Sequence, residues 1–105
     1  MPVIPCENTF RALVRSRNVE DEFDCSNKSG IYCRALRRNN YEADISVVRT
    51  PRGTLHAVVQ CDGIYYDPTF GTVTSKLHRI GSYRFSIPFD KLDSWGDEFR
   101  CPTTI

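Results

Sequence analysis

Apolar side chains near the start of the chain recur three and four positions apart, a spacing that predicts an amphipathic helix. This helix spans residues 7–17, and Asn8 suits its N-cap. The polar run that follows, residues 18–29, is rich in acidic side chains and predicts an exposed connection. The apolar face of the predicted helix consists of Phe10, Leu13 and Val14.

A second helix is predicted from residue 30 to about residue 39. Ser29 precedes it and suits its N-cap, while the Asn39-Asn40 pair favours its end. Cys33 would then lie in or near the first turn of this helix.

The middle of the chain is rich in β-branched and aromatic residues. Residues 43–49, 54–60 and 64–69 read as strands, divided by Pro51-Arg52-Gly53 and by Asp62-Gly63. Further on, residues 83–87 predict a fourth strand, followed by Pro88 and a short helical pattern over residues 90–95. The predicted fold is therefore α+β, with N-terminal helices packed on an antiparallel sheet.

Composition limits the classes of function without naming one. The 105 residues fit one domain, and 40% apolar residues, 26% charged residues and a formal charge of +1 are ordinary values for a globular protein. They give no polyelectrolyte character to favour a nucleic acid or a membrane as partner. No stretch approaches the ~20 apolar residues that span a bilayer.

The five cysteines are an odd number, and the start of the sequence lacks the basic and apolar regions of a signal peptide. We therefore expect free thiols and a cytoplasmic location. No CxxC or HExxH motif, glycine-rich phosphate loop or calcium loop occurs, so neither a metal nor an organic cofactor is expected.

The Asp62-Gly63 turn predicts which side chains of two strands face each other. A two-residue turn places Cys61 opposite Ile64 and, further along, His56 opposite Thr69. His56 and Asp67 then share one face as diagonal neighbours, about 7 to 8 Å apart at the backbone and within side-chain reach.

A carboxylate beside an imidazole can fix its tautomer and leave the second ring nitrogen to deprotonate a nucleophile. Cys33 suits that nucleophile, because the positive end of a helix dipole and a nearby histidine both favour a thiolate. Cys25, in the polar run, is the main rival. His78 lies in a polar context and is expected to be solvated.

Three short blocks, GIYCRAL, TLHAVV and GIYYDPTFG, carry Cys33, His56 and Asp67 in that order. They resemble the Cys, His and Asp blocks of transglutaminase-like and papain-like cysteine peptidases over about residues 27–71, and bacteriocin-processing peptidases look similar around the last two blocks. The resemblance implies a minimal papain-like or transglutaminase-like core. The stretch from Cys33 to His56 is shorter than is usual in these peptidases, and the chain lacks their large second lobe.

The resemblance also implies an oxyanion hole, for which papain-like enzymes use a Gln side chain shortly before the nucleophile. Asn27 occupies the comparable upstream position here, and Tyr32 is the reserve candidate. Loss of such a donor typically costs on the order of 100-fold or more in rate.

The expected function is a thiol hydrolase or acyltransferase acting on amide or isopeptide bonds of a protein or peptide, with a cysteine peptidase or deamidase favoured over amine transfer. The alternative is a non-catalytic binding or inhibitor protein, for example one encoded by a phage or mobile element. The remaining positions of interest are expected to serve packing or solvation: aromatic Tyr65, Tyr66 and Phe70, and basic Arg34, Arg37, Arg38, Arg49 and Arg52. Any of the aromatic residues that is exposed near His56 would instead shape a substrate pocket.

Overall fold

Within the residues that the structure describes, the chain folds as two helices followed by five strands, and a short 3₁₀ helix, Leu77–Arg79, precedes the last strand. The computed structural model describes residues 3–17 and 25–87. The strands form one antiparallel sheet in the order β4-β3-β2-β1-β5. The predicted α+β class is confirmed. The elements are α1 (Glu7–Arg15), α2 (Cys25–Arg38), β1 (Ala43–Arg49), β2 (Leu55–Cys61), β3 (Ile64–Asp67), β4 (Thr72–Thr74) and β5 (Ser82–Ile87).

The β2–β3 hairpin has the predicted two-residue turn. Asp62 and Gly63 both have positive φ, 53° and 77°, as a turn that matches the twist of the flanking strands requires. Cys61 pairs with Ile64, which confirms the predicted register. This register decides which residues of β2 and β3 share a face.

The two faces of the central strands have different surroundings. Side chains alternate between the two faces along a strand. One set from β1 and β2 packs with the helices in the hydrophobic core, and His56 and Val58 point to the other face. The core residues of β1 and β2 are Ala43, Ile45, Val47, Ala57, Val59 and Cys61.

Helix α1 packs on this core as predicted, although its start and end differ. Phe10 and Leu13 are buried, and the Phe10 ring lies 5.2 Å from that of Tyr32. The N-cap is Cys6, whose carbonyl accepts a hydrogen bond from the Phe10 N–H at 3.0 Å. The prediction of Asn8 as N-cap was therefore wrong, because the helix begins before it.

Helix α2 begins at Cys25 and not at residue 30. Residues 25–29 had been predicted as part of an exposed connection, yet most of them are buried. Their polar groups find distant partners: Lys28 Nζ donates to the Ser16 carbonyl at 2.8 Å, and Ser29 Oγ donates to the Ala57 carbonyl at 2.8 Å. Because these hydrogen bonds satisfy the buried polar groups, this polar segment can form a buried part of the helix. Residues 18–24 lie outside the described residues.

The predicted bounds of the strands are partly correct. Strand β1 has the predicted bounds, while β2 is shifted by one residue and β3 ends at Asp67, two residues early. Strand β5 begins one residue earlier than predicted. Strand β4 and the 3₁₀ helix were not predicted, and the helical pattern over residues 90–95 lies outside the described residues.

Three kinds of structural feature bear on location and ligands: membrane-spanning helices, disulfides and metal-ligating clusters. No helix among residues 3–17 and 25–87 is long and apolar enough to cross a membrane. Within the same residues no disulfide joins the four cysteines, and no cluster of three potential metal-ligating side chains occurs.

Gly30 offers a test of the helix assignment. It lies buried inside α2, where an added Cβ would meet only the Arg34 guanidinium at 3.7 Å, an ordinary contact. Because alanine favours helix over glycine, Gly30→Ala is expected to raise the free energy of unfolding by about 0.5–1 kcal/mol, measured by urea titration. Gly53→Ala is the matched control: its φ of 84° strains a side chain, so it should lower stability. A destabilised Gly30→Ala protein would contradict the assignment.

Candidate active site

His56 and Asp67 form a buried pair on the face of the sheet opposite the helices. His56 Nε2 and Asp67 Oδ2 are 2.8 Å apart, and the two side chains are 1% and 2% exposed. His56 comes from β2, and Asp67 is the last residue of β3. The proximity predicted from the hairpin register is confirmed.

The end of β3 fixes the second oxygen of this carboxylate. Asp67 Oδ1 accepts hydrogen bonds from the backbone N–H groups of Thr69 at 2.9 Å and Phe70 at 3.2 Å. Asp67 thus turns the chain with its own side chain, as Asp does in an Asx turn. One oxygen is held by the turn, and the other faces the imidazole.

The other ring nitrogen of His56 decides what this pair can do. His56 Nδ1 is buried and has no hydrogen-bond partner in the part of the chain that the structure describes. With the Nε2 proton directed at Asp67, Nδ1 carries a lone pair and can accept a proton. A buried polar atom without a partner costs about 1–3 kcal/mol, and such a cost is typical of a functional group.

Cys33 is not at this pair. Its side chain is 0% exposed within the core, and its thiol donates to the Ala43 carbonyl at 3.4 Å. Burial raises the pKa of Cys33 to about 12, so the thiol stays protonated at neutral pH. A protonated, enclosed thiol is a poor nucleophile.

The sheet register gives the separation between Cys33 and His56. Ala43, the partner of Cys33, pairs with Cys61 at the far end of β2 from His56. Five strand residues span roughly 17 Å. The prediction that Cys33 lies beside His56 was therefore wrong, because α2 begins eight residues before Cys33 and carries it into the core.

Cys25 is the first residue of α2 in the described part of the chain, and it is 2% exposed. One turn later, burial lowers the pKa of Lys28, while the charges of Asp67 and Cys25 act on it in the opposite direction. The ammonium therefore shares one neighbourhood with the Asp67 carboxylate and the Cys25 thiol.

A hydrogen bond joins this end of α2 to the strand that carries His56, on the face opposite the His56 side chain. Ser29 Oγ donates to the carbonyl of Ala57, the residue that follows His56 in β2. From Cys33 back to Ser29, α2 runs from the Cys61 end of β2 toward His56. Continuing one more turn in that direction leads to Cys25.

The two residues predicted for the oxyanion hole lie in different places. Tyr32 is 0% exposed, and its hydroxyl donates to the Pro5 carbonyl at 2.7 Å, on the side of α1. Its ring packs against Phe10 and Tyr66, so the prediction of a site role was wrong. Asn27 is exposed and lies in the first turn of α2, after Cys25, and not ahead of the helix.

A cavity of about 390 Å³ opens beside the pair. The ring of Phe70, 56% exposed, forms one wall with its centroid 5.5 Å from that of His56. The sequence did not predict that the turn at Pro51 and Arg52 meets Arg79 and Ile80 beside the pair. His78 is exposed, as predicted. The cavity is lined by Thr50, Pro51, Arg52, His56, Asp67, Phe70, Thr72, Arg79 and Ile80.

Comparisons of the chain with protein-family models, curated proteins and solved structures found no match. The chemistry of the site therefore rests on its own residues: a buried histidine and the carboxylate beside it on one face of the sheet, with the Cys25 thiol on the helix that packs against the other face.

Proposed function

We propose that the chain is a thiol hydrolase or acyltransferase of amide bonds in proteins or peptides, with Cys25 as nucleophile, His56 as base and Asp67 as its orienting residue. The observation that carries the proposal is the buried His56–Asp67 pair, 2.8 Å apart, whose Nδ1 atom has no partner among the described residues. A histidine held in this way is a general base that lacks only its proton donor.

Cys25 is the proposed donor, because Lys28, one turn along α2, is affected by the charges of both Cys25 and Asp67. The Lys28 ammonium acts on the Cys25 thiol in return. A positive charge near a thiol favours the thiolate form, which is the nucleophile.

The proposed reaction has two halves. The Cys25 proton passes to His56 Nδ1, and the sulfur attacks the carbonyl carbon of the amide. When the tetrahedral intermediate collapses, the carbon–nitrogen bond breaks, and the imidazolium gives its proton to the leaving amine. In the second half Nδ1 deprotonates water, which cleaves the thioester to an acid and restores the thiol. If an amine attacked the thioester in place of water, the acyl group would be transferred to that amine.

Hydrolysis, by a peptidase or a deamidase, is the proposed outcome. The described part of the chain is small, and the cavity beside the base opens past exposed Phe70. A site that opens to solvent shields a thioester from water poorly.

One observation favours the non-catalytic alternative. Cys25 and His56 are 2% and 1% exposed, so the pair could serve packing in a binding or inhibitor protein. Under this alternative, Cys25 is alkylated no faster than an ordinary thiol. The alkylation rate therefore distinguishes a binding protein from an enzyme.

The deciding measurement is the pH dependence of alkylation by iodoacetamide, followed at each cysteine by peptide mass spectrometry. Cys25 is expected to react well below the reference pKa of ~8.5, and His56→Gln is expected to slow it by about tenfold or more at pH 6. Half-buried Cys6 is the internal reference.

Cys33 is the matched control within the same helix. It is expected to stay unmodified in the folded protein at neutral pH, and Cys33→Ala should leave the fast reaction at Cys25 in place. A Cys25 no faster than Cys6, or a fast phase that disappears with Cys33→Ala, would overturn the proposal.

A further inference from the structure

We infer that the cavity beside His56 and Asp67 binds a carboxylate group of the substrate, held between Arg52 and Arg79. The catalytic use of this contact rests on the proposed function, whereas the binding itself does not. The substrate class is then an amide whose neighbouring residue carries a carboxylate.

The two arginines approach the cavity from separate elements. Arg52 lies in the turn between β1 and β2, and Arg79 is the last residue of the 3₁₀ helix. Both side chains are exposed and line the same cavity. Two guanidinium groups around one space are the arrangement that recognises a carboxylate best, through paired N–H groups on each side.

Neither guanidinium is committed to another group. Across residues 3–17 and 25–87, no ion pair or side-chain hydrogen bond occupies Arg52 or Arg79. By contrast, Arg11 pairs with Glu7 at 2.8 Å, and Arg49 donates to the Gly53 carbonyl at 2.7 Å. The lining arginines therefore remain available to an incoming anion.

Among the described residues of the lining, Asp67 is the one carboxylate, and its oxygens are already in use. One accepts from His56 and the other accepts from two backbone N–H groups. The unpaired charge that the described lining residues contribute is therefore positive.

The segments that carry both arginines are fixed to the sheet. Thr50 and Thr54 are joined by a backbone hydrogen bond of 2.8 Å across the β1–β2 turn. On the other side, Gly81 packs so closely on the end of β1 that an added Cβ would lie 2.4 Å from the Arg49 carbonyl oxygen. A fixed backbone lowers the entropy cost of binding a ligand, because only the arginine side chains have to be ordered.

The remaining lining is apolar and suits an aliphatic stem. Phe70, Ile80 and Pro51 contribute apolar surface near the base. A volume of about 390 Å³ is near the lower end for ligand pockets, so it fits a residue or two and not a long peptide. A glutamate side chain or a chain terminus fits this combination of apolar wall and paired arginines.

Three small probes test the binding directly by NMR titration of the arginine side-chain signals. N-acetyl-glutamate α-amide carries only the side-chain carboxylate, N-acetyl-glutamine carries only the α-carboxylate, and N-acetyl-glutamine α-amide carries neither. At least one acidic probe should bind about tenfold tighter than the neutral probe. The tighter of the two acidic probes identifies the source of the carboxylate. Equal affinities, or binding by none, would overturn the inference.

Matched variants assign the effect to the cavity. Arg52→Gln and Arg79→Gln should each reduce the preference for the acidic probe about fivefold or more, and the double variant should abolish it. Arg84→Gln removes an exposed arginine on β5 that does not line the cavity. It should leave the preference as it is, and an equal loss there would show a non-specific charge effect instead.

A reactivity measurement separates this inference from the proposed function. The ratio of iodoacetate to iodoacetamide rate constants at Cys25 should fall in the double arginine variant. If the acidic probes bind more tightly than the neutral probe and Cys25 reacts slowly, the proposed function is wrong and the carboxylate site is supported. If Cys25 reacts fast and the probes bind with equal affinity, the carboxylate site is wrong and the proposed function is supported.

Discussion

Asp67→Asn is expected to keep the fold and slow alkylation of Cys25 on the order of 100-fold, the usual scale for loss of a general base. The amide oxygen is held in place by the Thr69 and Phe70 N–H groups that the carboxylate now binds. The amide nitrogen must then face His56 Nε2 and donate to it. This moves the imidazole proton to Nδ1, which can no longer accept the proton of a thiol.

Two further variants separate orientation from stability. Asp67→Ala leaves the turn N–H groups and His56 unpaired in the interior, so it should lower the free energy of unfolding by about 3–5 kcal/mol. Asp44→Asn changes an exposed carboxylate on β1 and should alter neither quantity by much. Stability is read by urea titration and reactivity by peptide mass spectrometry. A folded Asp67→Asn protein with normal Cys25 reactivity would rule out the orienting role.

Gly81→Ala is expected to be the most destabilising of the glycine substitutions, lowering the free energy of unfolding by about 3 kcal/mol. An added Cβ would lie 2.4 Å from the Arg49 carbonyl oxygen and 2.9 Å from its carbon. Both atoms belong to the backbone of β1, so relief requires the 3₁₀ segment to move away from the sheet.

The neighbouring Ser82→Ala variant controls for the position in the chain. It adds no atom and removes only a long hydrogen bond, 3.4 Å, from Ser82 Oγ to the Arg49 carbonyl. Its loss of stability should be small by urea titration. If Gly81→Ala were equally mild, the contact between the 3₁₀ segment and β1 would be looser than the distances indicate.

The hairpin that builds the base could be predicted from local rules. Asp62 and Gly63 are residues that adopt positive φ readily, and a two-residue turn leaves one register for the strands on either side. The approach of His56 to Asp67 follows from that register alone. No contact from elsewhere in the chain was needed to derive it.

The nucleophile could not be predicted in the same way. Ser29 looks like an N-cap, because serine before an apolar segment usually is one. Here its hydroxyl bonds instead to the Ala57 carbonyl, far away in sequence, and the helix extends back to Cys25. This hydrogen bond joins residues that are distant in sequence, so the local pattern around Ser29 does not indicate that the helix includes Cys25.

The cavity could not be predicted from the sequence for a related reason. Most of its lining comes from three connections that meet only after the sheet forms: the β1–β2 turn, the Phe70 turn and the 3₁₀ segment. Strand β4 has only three residues, too few for an alternating pattern to be distinguished from a loop. The tight approach of Gly81 to β1 likewise has no local signature.

The Asp67 carboxylate joins two parts of the molecule that would otherwise act separately. Through one oxygen it sets the imidazole, and through the other it holds the N–H of Phe70, whose ring borders the cavity. A ligand that displaces this ring therefore acts on the same carboxylate that orients His56. Cavity occupancy and the orientation of the imidazole are thus thermodynamically coupled, and by reciprocity a change at the imidazole alters how tightly the cavity holds its ligand.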